Sequence, residues 1–547
     1  MNCFRISFLF LCLFLRSFTP AVQVEVSQYQ LSVLKGKSNN PIIKIKLSNV
    51  EEGEKINHIV LNTNGTTDLK DIKTIRLFYY GKDSVPGNPM SGKGKLISAA
   101  TTINNQITLK SDQLLVKGDN YFWVSYELND GAGLYNLMDA QVVEVGLGTM
   151  VIKPTAKQDT LRQRLGVAVR THLKDGIHTS RIPGLVTTNK GTLIATFDAR
   201  RDSGRDLQGN IDIGIHRSED GGNTWKSLQI AMDMGEWGGL PEKFNGVSDA
   251  CILVDKNSNA IYIAGLWMHG VINEEGKWLE NLTNESADWN HQWKTKGSQP
   301  GFGVKETSQF MIVKSTDDGK TWSKPINLTK MIKKEEWWLL APAPGHGITL
   351  KDGTLVFPTQ GRDKKGKGFS NITYSKDHGK TWKTSNPASI ESTTENMAAE
   401  LEDGSILLTM RSGANKGRMV GNGRIMSITK DLGETWSVHP TSRNALIEPG
   451  CMASLIRHDY IQDGKQKSLL LFSNPDSKTT RNRISIKQSL DNGMSWPSNK
   501  VIRLDDFSGR GYSCLTSVNK ETIGIFYESS QADIIFQAIK LKDLLSN

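Results

Sequence analysis

One short pattern, Ser/Thr-x-Asp-x-Gly-x-Thr/Ser-Trp, occurs five times in this 547-residue chain. The copies run Ser218–Trp225, Ser315–Trp322, Ser375–Trp382, Thr429–Trp436 and Ser489–Trp496, and their starts lie 97, 60, 54 and 60 residues apart. Recurrence at such intervals marks a repeat architecture. The interval is too long for a helical solenoid unit and suits a four-stranded blade with its loop. Asp-x-Gly is turn chemistry: the carboxylate accepts from backbone N–H groups just ahead, and Gly supplies the positive φ. The Ser and Thr hydroxyls can close the same loop, and Trp can fill a wedge between neighbouring sheets. These residues are therefore expected to be structural rather than catalytic.

A second periodicity gives the number of blades. Six polar turns lead into strands rich in Ile, Leu, Val and aromatics, beginning at Asn189, Asn257, Lys351, Glu402, Gly464 and Asn519. Six strand starts with five turn motifs predict an all-β fold, a six-bladed β-propeller over residues 155–547 with one degenerate blade. Residues 23–154 carry no such motif and read as short strands at Pro41–Val50, Thr74–Tyr80, Gln106–Lys110 and Tyr121–Leu128. The Ile–Lys alternation at residues 43–46 is the period-2 mark of a half-buried strand. A β-sandwich is expected there, either binding carbohydrate through exposed aromatics or packing on the propeller as a structural module. Met150–Gln163 is the candidate linker. The polar, Trp-rich stretch Val271–Pro300 (Trp278, Trp289, Trp293) reads as a loop insertion, a candidate lid.

Arg5, the apolar run Ile6–Leu15 and Ala21 read as a cleavable signal peptide over residues 1–22, too short to span a bilayer. A secreted or periplasmic location follows as an expectation. The mean hydropathy of −0.39 is that of a soluble protein. The net charge of +10 favours anionic partners. No basic helix or RNA-binding motif accompanies it, so nucleic acid is not expected as a partner. Cys251, Cys451 and Cys514 sit in apolar contexts and are expected to be buried thiols. No HExxH, paired CxxC or P-loop occurs, so neither a metal nor a nucleotide cofactor is expected. We expect a monomer.

The Arg-Ile-Pro of Arg181–Pro183, together with the repeated Asp turns, resembles the bacterial sialidases (neuraminidases) of glycoside hydrolase family 33, from about Arg164 to Glu528. The resemblance implies that Arg181, Arg411 and Arg481 grip the carboxylate of a sialic acid, with Arg483 a rival for the third position. Planar, permanently charged guanidinium groups suit that task, because they pair bidentately with carboxylates. Glu528 matches the acidic residue that braces the first arginine. Tyr512 matches the catalytic tyrosine and Glu395 its acid–base partner, sixteen residues before Arg411. Glu400 lies nearby out of register. A phenol titrating near pH 10 needs such a base to become a nucleophile. A neutral phenol also avoids repulsion from the carboxylate on the anomeric carbon. Asp206, 25 residues after Arg181, matches the general acid/base, with Asp202 its rival. Its pKa should rise by partial burial when substrate binds. Arg200 (or Arg201) resembles a further pocket arginine, and Asp249 an acidic pocket residue. His346 reads as structural. The implied activity is that of an exo-α-sialidase, a retaining glycoside hydrolase releasing terminal α-linked sialic acid from sialylated glycans. The rivals are a trans-sialidase and a non-catalytic propeller lectin.

Overall fold

The computed structural model describes residues 20–546 apart from 85–93, 159–160, 208, 240, 271–278, 280–290, 292–297, 305, 390–391 and 416. The expected leader up to residue 19 lies outside the described residues, as do Trp278, Trp289, Trp293 and nearly all of the insertion that holds them.

Six four-stranded blades are present among the described residues. Blade 1 holds Thr179–Thr187, Leu193–Arg200, Ile211–Ser218 and Gln229–Met232. Blade 2 holds Asn245–Val254, Ile261–His269, Gln309–Ser315 and Ile326–Asn327. Blade 3 holds Leu339–Pro342, Leu355–Arg362, Gly368–Ser375 and Lys383–Thr384, and blade 4 holds Asn396–Glu400, Ile406–Met410, Ile425–Thr429 and Ser437–Val438. Blade 5 holds Ser454–Gln462, Lys465–Pro475, Ile484–Ser489 and Val501–Asp505. Blade 6 holds Ser513–Asn519, Thr522–Tyr527 and Ile534–Lys540, and takes Gln163–Arg170 as its fourth strand through Val167↔Phe536 and Arg170↔Ile534. The six turn-led strands of the sequence are the second strands of the six blades.

The Asp-x-Gly turns join the third and fourth strands of blades 1 to 5. In blade 6 those two strands come from opposite ends of the propeller segment, so no covalent turn exists there to carry a sixth copy. The turns close as their chemistry dictates. In the second copy, Ser315 Oγ donates to Asp317 (2.8 Å), Asp317 accepts from the Thr321 N–H (2.9 Å) and hydroxyl (2.6 Å), and the Gly319 N–H donates to Ser315 Oγ (2.9 Å). The same bonds recur around Asp220, Asp377, Asp431 and Asp491. Trp225 of blade 1 lies against Phe526 and Phe536 of blade 6, and Trp382 of blade 3 against Tyr262 of blade 2. The wedge role is thereby realised in these two copies.

The N-terminal region is a sandwich. One sheet orders Gln23–Gln28, Asn40–Val50, Gly118–Leu128, Ile72–Tyr79 and Lys95–Ala100; the other orders Met150–Ile152, Gln141–Leu147, Ile56–Asn62 and Gln106–Lys110. A core including Ile43, Ile45, Leu61, Phe122 and Val124 fills the space between them. The region is not cut cleanly from the propeller at residue 154. Val33–Lys35 pairs in parallel with Gln163–Arg170 and so extends blade 6. Ser32 Oγ meets the Tyr527 hydroxyl at 2.8 Å, and Tyr29 packs on Phe507. The packing on the propeller is realised by these contacts. Phe122, Trp123 and Tyr126 are buried. The three cysteines are buried free thiols.

Candidate active site

In an antiparallel blade, the start of the first strand and the end of the second lie at the same end. The candidate residues obey this rule. Arg181 and Asp249 lie near the starts of first strands, and Glu395 and Tyr512 immediately precede two more. Arg200 ends a second strand, and Arg411 and Glu528 follow directly on two others. Asp206 and Arg481 lie on loops leaving second strands. Five blades thus present the candidate side chains to one face, and blade 3 contributes none of them.

Tyr512 is the centre of the cluster. Its side chain is buried, its hydroxyl donates to Glu395 Oε1, and it accepts from Arg411 Nη1 at 3.1 Å. Arg411 also pairs with Glu395. The guanidinium carbons of Arg181 and Arg481 lie 5.4 and 5.5 Å from the Tyr512 ring centroid, so all three arginines converge on it. Burial, followed by the Glu395 charge, pushes the phenol well above its ordinary value, while Arg411 pulls it back. A protonated phenol with an adjacent carboxylate acceptor is the resting arrangement.

Glu528 is only 1% exposed and accepts four bonds. Oε1 takes Arg181 Nε (2.6 Å) and the Ile182 N–H (3.0 Å); Oε2 takes Arg181 Nη2 (3.3 Å) and the Tyr512 N–H (3.0 Å). One carboxylate therefore sets both the first arginine and the backbone of the tyrosine. Ile182 has φ 60°, an uncommon conformation for a β-branched residue, within a bulge between Arg181 and Gly184. A matching bulge in blade 2 holds Asp249 at φ 57°. Bulges re-aim side chains: Arg181, opposite Asp198, is the last paired residue before the first bulge, and Asp249 lies inside the second.

Arg200 is buried and pairs with Asp198 (2.9 Å) and with Asp206. Arg181 Nη1 lies 3.9 Å from the same Asp206 oxygen. Asp206 stands at the open mouth, its side chain 72% exposed. Crowding pushes its pKa up, but the charges of Arg200 and Arg181 outweigh this and hold the carboxyl below its ordinary value. The direction is opposite to the rise expected for the substrate-bound acid. Asp249 is pushed well upward by burial and by the Asp198 charge.

The rivals go elsewhere. Asp206 rather than Asp202 meets Arg200, while Arg201 pairs with Asp212 on the neighbouring strand. Glu400 ends its strand at the opposite face and accepts from the Lys351 N–H. Arg483 lines a separate cavity with Lys487 and Trp496. His346 is buried, its Nδ1 3.1 Å from the Gly347 carbonyl oxygen and its pKa pushed down to about 4 by burial. Sequence reasoning missed Asp198 and Arg510. Asp198 sits two residues before Arg200 on one strand, and that period-2 spacing was the available signal. It also accepts from Ser248 Oγ (2.6 Å) and the Asp249 N–H (3.2 Å). Arg510, two residues before Tyr512, accepts from Arg481 Nη1 through its carbonyl at 3.0 Å.

Gly511 shows why the approach is so close. It has φ 94°, and a Cβ there would lie 3.0 Å from both Arg481 Cβ and Cys451 Sγ.

The similarities to known proteins agree with this geometry. Residues 182–527 match the family described as BNR repeat-like domain, and residues 21–149 match the N-terminal domain of BNR-repeat neuraminidase. A sialidase of Bacteroides fragilis (strain YCH46) is 39% identical over 98% of this chain and 98% of its own. A sialidase of Micromonospora viridifaciens is 30% identical over 65% of this chain and 50% of its own. The solved Hadza microbial sialidase Hz136 is 39% identical, covers 95% of this chain and 99% of its own, and superposes with a TM-score of 0.85. The leech intramolecular trans-sialidase, 17% identical over 91% of this chain and 100% of its own, shares the fold with a TM-score of 0.56. With both segments matched and a relative aligned over nearly its whole length, the chain belongs to the sialidases, the BNR-repeat neuraminidases.

Proposed function

We propose that this sialidase is an exo-α-sialidase that hydrolyses terminal α-linked sialic acid with retention of configuration, acting on glycoproteins, glycolipids and oligosaccharides. The convergence of Arg181, Arg411 and Arg481 around the Tyr512–Glu395 pair is the observation that carries this reading.

The three guanidinium groups take the substrate carboxylate and fix the anomeric carbon over the Tyr512 hydroxyl. Tyr512 Oη attacks that carbon as its proton passes to Glu395 Oε1, and the bond to the aglycone oxygen breaks. Asp206 gives its proton to the departing oxygen. Attack by a phenol keeps a second negative charge away from the substrate carboxylate, and Arg411, donating to the same hydroxyl, steadies phenolate character as it develops. Water then enters where the aglycone left and gives up a proton to Asp206. The new C–O bond displaces Tyr512, which recovers its proton from Glu395. Two inversions give net retention.

Tyr512→Phe and Asp206→Ala are expected to abolish release of a sialyl-fluorophore, and near-wild-type turnover by either would overturn the scheme. Free sialic acid as the NMR product supports hydrolysis; a sialylated acceptor or an anhydro sugar would assign a transferase instead. Action outside the cytoplasm is part of the same reading, supported by the charged-then-apolar leader. Activity confined to the cytoplasmic fraction of the producing cell would refute it.

A further inference from the structure

Behind the cleft, one ion pair is fully enclosed. Arg424 and Glu448 are both 0% exposed, with Arg424 Nη1 2.5 Å from Glu448 Oε2. Their hydrogen bonds go to each other and to neighbouring backbone and amide groups, not to the side chains of the Tyr512 cluster. What they hold, however, is the backbone that carries it.

Arg411 is bound into its strand pair: its N–H donates to the Glu395 carbonyl (2.8 Å), and its carbonyl accepts from the Thr394 N–H (3.0 Å). The first N–H beyond it, that of Ser412, donates to Glu448 Oε1 at 3.1 Å. Asn415 Nδ2 reaches the same oxygen at 2.8 Å. Glu448 therefore clamps the turn by which the chain leaves Arg411. Its partner holds the floor. Arg424 Nη1 also donates to the Cys451 carbonyl (2.7 Å), and Cys451 packs in the same buried cluster as Tyr512. A third branch reaches the last arginine. Asn422 Nδ2 donates to the Glu448 carbonyl (2.6 Å) and to the Lys478 carbonyl (3.2 Å), on the loop that carries Arg481. One enclosed network thus ties together the supports of Arg411, Tyr512 and Arg481.

We infer that Arg424 and Glu448 are a positioning pair that sets the separation of the carboxylate-gripping arginines. The inference rests on the proposed carboxylate grip. Stability alone supplies little reason for such a pair. Removing two charges from water is costly, and well-packed apolar residues of similar volume often serve a fold as well or better. Apolar side chains cannot accept from the Ser412 N–H and Asn415, nor donate to the Cys451 carbonyl. Geometry is what the pair supplies and an apolar replacement does not.

The test separates these roles. Arg424→Met/Glu448→Leu keeps the volume and removes the bonds. Binding of the dehydrated sialic acid analogue and of its carboxamide is measured by calorimetry on the full chain, together with thermal melting. The wild type is expected to prefer the carboxylate. In the double variant that preference is expected to fall about tenfold in a protein that still folds and melts cooperatively, at a lower temperature because the Ser412 N–H, the Asn415 amide and the Cys451 carbonyl lose their partners; misplaced arginines lose charge-assisted bonds only the carboxylate makes. Glu448→Gln, which keeps an acceptor but leaves Arg424 without its counter-charge, is the second variant should the first not fold. It is expected to lower the preference about threefold. A preference that survives in the folded variant overturns the inference alone. A wild type with no preference overturns the carboxylate grip itself, and this inference with it.

Discussion

Replacement of Glu528 by Gln probes how one buried carboxylate couples Arg181, of the proposed grip, to Tyr512, the proposed nucleophile. Glu528 gives each of its oxygens two donors: Arg181 Nε and the Ile182 N–H on one side, Arg181 Nη2 and the Tyr512 N–H on the other. A carboxamide has one acceptor and one donor end. Whichever way it is turned, its NH2 faces two donors, and both lose their partner. Removing one member of a buried pair costs about 3–5 kcal/mol. The lower figure applies, because Arg181 keeps Asp206 at 3.9 Å as a residual counter-charge. For a chain of this size, with an unfolding entropy of about 2.1 cal/mol/K per residue, about 3 kcal/mol lowers Tm by roughly 3 °C. The displaced Tyr512 backbone moves the phenol, and misplacement by about 1 Å costs on the order of a hundredfold in rate. Saturating carboxylate analogue supplies a negative charge beside Arg181. It is therefore expected to raise the Tm of Glu528→Gln more than that of the wild type. Thermal melting with and without analogue, and initial rates on a sialyl-fluorophore, measure both effects. Wild-type kcat/KM together with a Tm unchanged within about 1 °C would refute the coupling.

Three further outcomes follow from particular contacts. Gly511→Ala places a Cβ 3.0 Å from Arg481 Cβ at a backbone φ of 94°, so KM is expected to rise about tenfold as Arg481 shifts; an unchanged KM would show that Arg481 does not hold substrate. Arg200 is the first of the cations that depress Asp206. The proton-bearing acid is lost as pH rises, so Arg200→Met is expected to move the alkaline limb of kcat/KM upward by about one pH unit; a stationary limb would count against Asp206 as the acid. Asp317 and Asp377 are held near pKa 2 by bonds from the Thr321 and Thr381 hydroxyls and N–H groups. Folded values below the ordinary 3.8 contribute stability above about pH 4 that is lost as pH falls toward 2. The double variant Asp317→Asn/Asp377→Asn should flatten the fall of the guanidinium midpoint across that range, with kcat/KM near neutrality within twofold. A midpoint that still falls as steeply would mean these turns do not link pH to stability.

Much of the site was legible because its residues follow strand boundaries. Each turn-led second strand announces where a hairpin begins, and the cluster gathers at the far ends of those hairpins. Arg181, Glu395, Arg411, Tyr512 and Glu528 could be placed on that rule together with the family resemblance. The rivals could not be excluded by order alone. Arg483 and Arg481 differ by two residues, and only the loop's path sends Arg481 over the Tyr512 ring and Arg483 to another cavity. Asp198 was hidden for a related reason: it lies in a fully buried strand, where a carboxylate is unexpected until its partners Arg200 and Ser248 are in place.

By itself the sequence determined the repeat. Asp-x-Gly turns and apolar strands are local chemistry, satisfied within eight residues, so they specify blades wherever they occur. The tertiary structure decided what no local pattern can hold. It showed that the sixth blade lacks a turn because its strands come from distant parts of the chain, and that the N-terminal region lends a strand to the propeller. It also brought Glu528 and Arg181, 347 residues apart, into one buried ion pair. Such a contact forms only where the fold sets blades 1 and 6 side by side, with Thr179–Thr187 packed directly against Ser513–Asn519 and Thr522–Tyr527, a neighbourhood that no local pattern specifies.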